Sequence, residues 1–242
     1  IYWPTKFLLS DDFKSLGLFA KFSCIALVNK INLCRYISGW LISEGACIMY
    51  GIARNPSNPD HHDRCSNVSL FHFETTGTFR GLIESFNITT NQFAMKYVFK
   101  RLRFLGSKML SQILTLFFLA IWHGFSIGYY NTFALEFLMV KMETDIANMV
   151  IEYRTRNHRF NQILNNITIR WIIYILMRIH IIYMLSYSLI SFTTLDFNQW
   201  TSILSEVYYI GHIIYISWFI VSIIFSLIPI SRRKISDETK NK

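Results

Sequence analysis

Residues Ile113–Val140 read ILTLFFLAIWHGFSIGYYNTFALEFLMV. Between Lys108 and Lys141 the only ionisable side chains, tyrosines aside, are His123 and Glu136. Roughly 20 apolar residues suffice to cross a bilayer, so a run of this length and character belongs in lipid. An ionisable group at membrane depth costs a few kcal/mol even on lenient scales and marks a functional site by default. Gly124 and Gly128 follow His123 and lower helix propensity locally. A helix that bends or breaks beside His123 is therefore expected. Such a break is tolerated at membrane depth only where it lines a cavity inside the protein. The first expectation is a histidine facing a polar pocket in a membrane protein.

The rest of the composition agrees. The chain has 242 residues, of which 52% are hydrophobic and 17% aromatic, and only 16% are charged. Soluble domains carry about 25% charged residues. Mean hydropathy is +0.30. A closed barrel is excluded, because the long apolar runs do not alternate with period two. The expected fold is all-α, a multi-pass transmembrane helical bundle with a broken helix around the central histidine. The net charge of +9 does not point to nucleic acid. The basic residues fall mostly between the apolar runs and in the tail, which reads as cytosolic loops. The chain begins at Ile1 with no visible signal peptide. It reads as one membrane domain, residues 1–242, forming the C-terminal part of a longer chain. Cys24, Cys34, Cys47 and Cys65 make no C-x-x-C pair and read as inert thiols.

Outward from the central stretch, Ser15–Ala53 is long enough for a span plus an amphipathic approach, or for two tilted helices. Its sparse charges, Lys21, Lys30, Arg35 and Glu44, read as interfacial snorkelling. Residues 54–67 form the clearest loop, broken by Pro56 and Pro59. His61, His62, Asp63 and Cys65 in that loop lack a second cluster at zinc spacing, so no metal site is expected. Val68–Phe79 reads as an irregular segment near a surface. From about Thr90 the pattern is helical, and Lys96, Lys100 and Arg103 fall at spacings of four and three that would share one face. A basic aromatic helix of this kind lies along a membrane surface or fronts a cavity that receives phosphates. Lys141–Asn166 is polar and reads as a partly helical loop. Ile167–Phe192 is a good span carrying Arg170, Arg178 and His180. Val207–Ile230 is the cleanest span, with His212 inside it. His180 and His212 are expected to bond neighbouring helices. The positive-inside rule puts the 141–166 loop and the 231–242 tail in the cytosol and residues 193–206, which lack Lys and Arg, in the lumen.

Several of these residues together resemble one family. Trp122-His123-Gly124 lies in an apolar segment and is preceded by Phe86-Asn87-Ile88-Thr89-Thr90-Asn91. The match continues through Trp40-Leu41-Ile42-Ser43-Glu44-Gly45, the run from Lys100 to Lys108, Gly128-Tyr129, Met139, Tyr209-Ile210-Gly211-His212 and the basic tail. The pattern resembles the membrane-bound O-acyltransferase family, in its lysophosphatidylcholine acyltransferase branch, over nearly the whole chain. A lone Trp-His-Gly would be a weak signal; the Asn and the His, each in context, make a strong one. The family often has Trp where this chain has Phe93, which alters local packing rather than chemistry.

The resemblance implies that His123 is the catalytic histidine and Asn87 its partner. It implies transfer of a fatty acyl group from acyl-CoA to the free hydroxyl of lysophosphatidylcholine, with lysophosphatidylethanolamine and lysophosphatidylserine as further acceptors. Acyl-CoA is a co-substrate, and no cofactor is implied. The chemistry of the residues agrees. A neutral imidazole within hydrogen-bond reach can take the hydroxyl proton during attack. An asparagine amide can orient the ring or donate to the carbonyl oxygen as charge develops there. Lys96, Lys100 and Arg103 are candidates for phosphate contacts, and Trp122 for substrate contact. The expected partners are acyl-CoA, lysophospholipids and the bilayer, with a second copy of the chain left open. Residence in the endoplasmic reticulum membrane follows from the resemblance alone. Two rival readings stand at this point. One is a family member acylating a sterol, a diglyceride or a protein; the other is a transporter using His123 as a proton relay. A fragment inactive without the N-terminal region that would complete the cavity is a further alternative. Asn67, Asn87 and Asn166 also begin glycosylation sequons.

Overall fold

The computed structural model describes residues 3–58 and 60–227, so the tail expected at 231–242 lies outside the described residues. Two short helices, α1 (Trp3–Phe7) and α2 (Asp11–Ser15), lead into the long α3 (Leu18–Met49). After the 54–67 loop come α4 (Leu70–Thr75), α5 (Phe79–Ser85) and α6 (Ile88–Phe93). A π-helical stretch, Ala94–Phe99, and a 3₁₀ stretch, Arg101–Leu105, join α6 to α7 (Lys108–His123). Then follow α8 (Ile127–Arg156), α9 (His158–Asn165), α10 (Ile167–Thr194), α11 (Phe197–Ser205) and α12 (Ile210–Leu227). Among the described residues there is no strand, only two isolated bridges.

The segment 18–49 is one continuous helix, not two. Its buried positions Lys21, Ile25, Val28, Asn29, Leu33 and Ile37 recur at three- and four-residue steps and form one stripe against α10. Lys21 and Lys30 do not snorkel. Lys21 Nζ donates to Glu206 at 2.6 Å, and Lys30 pairs with Glu74. The helix α10 stands at the centre, packed on α3 and α8. Ile181, Tyr187 and Ile190 from α10 meet Leu135 and Met139 from α8 in the core. The outer half of α10 exposes Trp171, Ile172, Ile175 and Leu176, a face that only an apolar medium would accept without cost. His180 and His212 do bond neighbouring helices. The Tyr215 hydroxyl lies 3.0 Å from His180 Nε2, and His212 bonds Tyr187 and Asn131.

Three local expectations are corrected. The segment 141–156 is not a loop but the second half of α8. Its charges are paired along and across helices: Lys141 binds Asp145, and Asp145 also accepts from Ser222 and Trp218 of α12. Residues 68–79 do lie near a surface, with Leu70 and Phe71 exposed, but they are not irregular, because Leu70–Thr75 is helical. Val68, Phe73 and Phe79 are buried, and α4 and α5 are docked by side chains that satisfy their free backbone groups. Tyr174 donates to the Thr75 carbonyl at 2.7 Å, Arg178 donates to the Thr76 carbonyl at 2.6 Å, and the Glu143 carboxylate accepts the N–H groups of Phe79 and Arg80. The basic stretch after Thr90 is not a regular α-helix. It passes through π and then 3₁₀ geometry, so its spacings of four and three do not map to one stripe.

By length and composition, Ile167–Thr194 is the one described helix apolar and long enough to cross a membrane. The pair Phe197–Ser205 and Ile210–Ile224 reaches that standard together but is bent by 86°. The helix α7 is apolar but shorter.

The α8–α10 contact depends on Gly128. A Cβ added there would stand 2.2 Å from the Ser191 carbonyl oxygen, a backbone atom that cannot rotate away. Gly128→Ala is expected to cost about 1–3 kcal/mol as an overpacking change, seen as a lower unfolding temperature of the full-length protein in detergent. Gly39, in the interior of α3 with open space around it, is the control, and Gly39→Ala should lose nothing.

Candidate active site

The helix α7 ends at His123 because Gly124 takes φ +134° and ψ −176°. Essentially only glycine holds that conformation. Gly124 N–H still closes onto the carbonyls of Ala120 and Ile121. Ser126 then caps α8, its hydroxyl accepting from the Gly128 N–H and donating to the Leu195 carbonyl. The chain turns back, and α7 and α8 pack together. The turn puts the His123 ring among aromatics. Ring centroids lie 4.7 Å away for Trp122, 5.0 Å for Phe192, 5.5 Å for Tyr129 and 5.6 Å for Phe133. Among the described residues no side chain or backbone group hydrogen-bonds the imidazole, so both nitrogens are available to a ligand.

Asn87 arrives from the other side, on the corner between α5 and α6. It takes the left-handed conformation, φ 53° and ψ 44°, which asparagine tolerates better than most residues. The corner is held by neighbouring amides. Asn91 Nδ2 donates to the carbonyls of Ile83 and Phe86 at 2.7 and 2.9 Å. Asn67 Oδ1 accepts the Thr89 N–H at 2.9 Å, and Asn67 Nδ2 donates to Asn87 Oδ1 at 3.4 Å. Two of the three sequon asparagines are thus engaged here, and Asn166 caps α10 through the N–H groups of Thr168 and Ile169.

His123 and Asn87 line the same cavity of about 200 Å³. Its walls come from α3 (Asn29, Asn32, Tyr36, Trp40), from α4–α6 (Phe73, Phe79, Phe86, Thr90), from α8 (Thr132, Phe133, Glu136, Met139) and from α10 (Ser188, Leu189, Phe192, Thr193). The walls are mostly apolar, with a few convergent polar groups, the general character of a small-molecule site. No hydrogen bond joins Asn87 to His123; they face a common space. Lys96, Lys100, Arg103 and Trp122 do not line it. The three cations are exposed on the π and 3₁₀ stretches, and Trp122 is 60% exposed beside His123.

The sequence analysis did not single out Asn29, Asn32, Thr132 or Glu136 as site residues. Their common signal is a polar side chain within a long apolar helix, which periodicity alone does not aim at a cavity. Asn67 carried only a sequon signal, and nothing that placed it at the site, since its role depends on two segments meeting. Asn67→Ala removes both side-chain bonds to the Asn87 corner and leaves the backbone bond from the Ile88 N–H to the Asn67 carbonyl. It should lower stability by about 1–2 kcal/mol, and it should lower activity more than a distant change of equal destabilisation. Thermal unfolding and turnover measured on the same full-length preparation decide this.

The MBOAT family model, the membrane-bound O-acyltransferase family, matches residues 2–186. Lysophospholipid acyltransferase 5 of Bos taurus and of Homo sapiens are each 36% identical over 216 residues, covering 87% of this chain and 43% of the relative. The Drosophila melanogaster protein of that name is 32% identical over 222 residues, covering 90% of this chain and 44% of the relative. The chain spans less than half the length of these curated relatives.

Proposed function

The chain belongs to the membrane-bound O-acyltransferase family, and from that premise we propose that the protein carrying it transfers an acyl group from acyl-CoA to the free hydroxyl of lysophosphatidylcholine. The observation that carries this reading is the shared cavity: His123 and Asn87, from separate segments, line one largely apolar space. The names of the relatives, lysophospholipid acyltransferases, favour a lysophospholipid acceptor over a sterol, a diglyceride or a protein. Lysophosphatidylethanolamine and lysophosphatidylserine are further acceptors in this proposal. The protein is a multi-pass resident of the endoplasmic reticulum membrane with its C-terminal tail in the cytosol, and it acts in phospholipid remodelling.

The acceptor hydroxyl attacks the thioester carbonyl while an imidazole nitrogen of His123 takes its proton. Asn87 donates to the carbonyl oxygen as negative charge gathers there. The C–O bond forms, the C–S bond breaks, and the proton passes from His123 to the CoA sulfur. Both substrates meet in one cavity, so no acyl-enzyme is needed. The aromatic rings around His123 keep water from competing for the thioester. CoA phosphates stay outside the apolar space, near the exposed cations Lys96, Lys100 and Arg103, with Trp122 at the mouth.

His123→Ala in the full-length protein should lower acyl transfer at least about 100-fold while leaving membrane expression unchanged. Turnover of labelled acyl-CoA with lysophosphatidylcholine measures it, and near-normal turnover would refute the assignment. Asn87→Ala should also fall steeply in turnover number, and more than in the Michaelis constant for either substrate, if the amide acts on the developing oxyanion.

A further inference from the structure

We infer that Glu136 is the residue by which this site selects a lysophospholipid with a cationic head group. The inference rests on the acyl-transfer reading above and adds the residue that discriminates among acceptors. Glu136 lies on the cavity face of α8, with Thr132 and Phe133 one turn before it and Met139 one turn after. Its carboxyl has no hydrogen-bond or ion-pair partner among the described residues. Two turns further along the same helix, Glu143 is satisfied by the N–H groups of Phe79 and Arg80. Glu136 has nothing equivalent and faces open space.

The cavity supplies no counter-charge. Its lining contains no Lys or Arg. Lys30, which stands over the Phe73 ring, is committed to Glu74. A carboxylate left unpaired in an apolar cavity is expensive, and a ligand cation would relieve that cost. The walls suit a weakly hydrated cation in particular, because Tyr36, Trp40, Phe79 and Phe133 offer ring surface. Quaternary and other ammonium groups bind well where ring faces and a carboxylate converge. A head group without an ammonium, such as phosphoglycerol, would instead leave the Glu136 charge unpaired, with nothing in the lining to offset it.

The spacing fits as well. The Phe133 ring is 5.6 Å from the His123 ring. Glu136 lies three residues on, about 4.5 Å further along the helix axis. His123 and Glu136 line the same cavity, so an acceptor with its hydroxyl at His123 can bring its cation to Glu136.

The test uses the natural full-length protein in microsomal membranes. One arm needs no mutation: lysophosphatidylcholine is compared with an analogue whose trimethylammonium is replaced by the neutral tert-butyl group of the same shape. The analogue should show at least a tenfold lower kcat/KM. In the other arm, Glu136→Gln keeps size and hydrogen bonding but removes the charge. The ratio of kcat/KM for lysophosphatidylcholine over lysophosphatidylglycerol should fall at least tenfold, and Glu136→Asp should restore part of it. Lysophosphatidylethanolamine should follow the choline lipid if any ammonium suffices. Equal use of the charged and neutral acceptors by the unaltered protein overturns the inference. A Glu136→Gln loss shared equally by all acceptors also overturns it, and points instead to a bond with the common acyl-CoA arm. Transfer to no lysophospholipid by the unaltered protein would overturn the acyl-transfer reading itself, whereas transfer without charge preference overturns only this inference.

Discussion

Gly124, at φ +134° and ψ −176°, stops α7 one residue after His123 and lets the chain fold back as α8. The rest of the site depends on this backbone constraint. A side chain at that position would be strained by the backbone alone, and its Cβ would also stand 3.3 Å from the Tyr129 ring. With the break in place, His123 sits at a helix terminus rather than midway along a wall. Its ring then turns into the angle between α7 and α8, where Tyr129, Phe133 and Phe192 enclose it. Gly128, four residues on, lets α8 approach the backbone of α10. One glycine sets the direction and the next sets the distance.

The opposite wall is built by a different device. The segment 68–91 is broken into short helices whose end groups must find partners elsewhere, yet it packs into the core. Side chains from the long helices close the gaps: Tyr174 and Arg178 from α10, and Glu143 from α8. Each lies away from the cavity and supports Asn87 only by fixing the segment that carries it. A buried polar group without a partner costs about 1–3 kcal/mol. Docking this segment is therefore strongly conditional on those side chains. The same accounting makes Glu136 stand out, since its carboxyl meets no such partner among the described residues.

The comparison between the sequence and the structure is uneven for physical reasons. Apolar composition exceeded what a soluble surface tolerates, and that was enough for a helical membrane protein. Ser107, Ser126 and Asn166 each cap the helix that follows, although none was read as a cap from the sequence. Charge density misled at 141–156, where polar composition suggested a loop. In place, the charges are paired and the helix runs on unbroken. Spacing misled at 94–105, where counting by three and four assumed a regular helix that the backbone leaves for π and 3₁₀ geometry.

His123 and the glycine beside it could be found from the sequence, because a lone ionisable group next to a helix breaker in an apolar run is a local signal. Asn87 was found only through family resemblance. That His123 and Asn87 share a space with Glu136, Asn29 and Asn32 was decided by the tertiary structure. Those residues come from several elements, from α3 to α8, and whether a polar side chain faces lipid, a neighbour or a cavity depends on how the helices cross. Helix crossing follows from the close approach at Gly128 and from bonds between distant segments, none of which leaves a periodic mark on the chain.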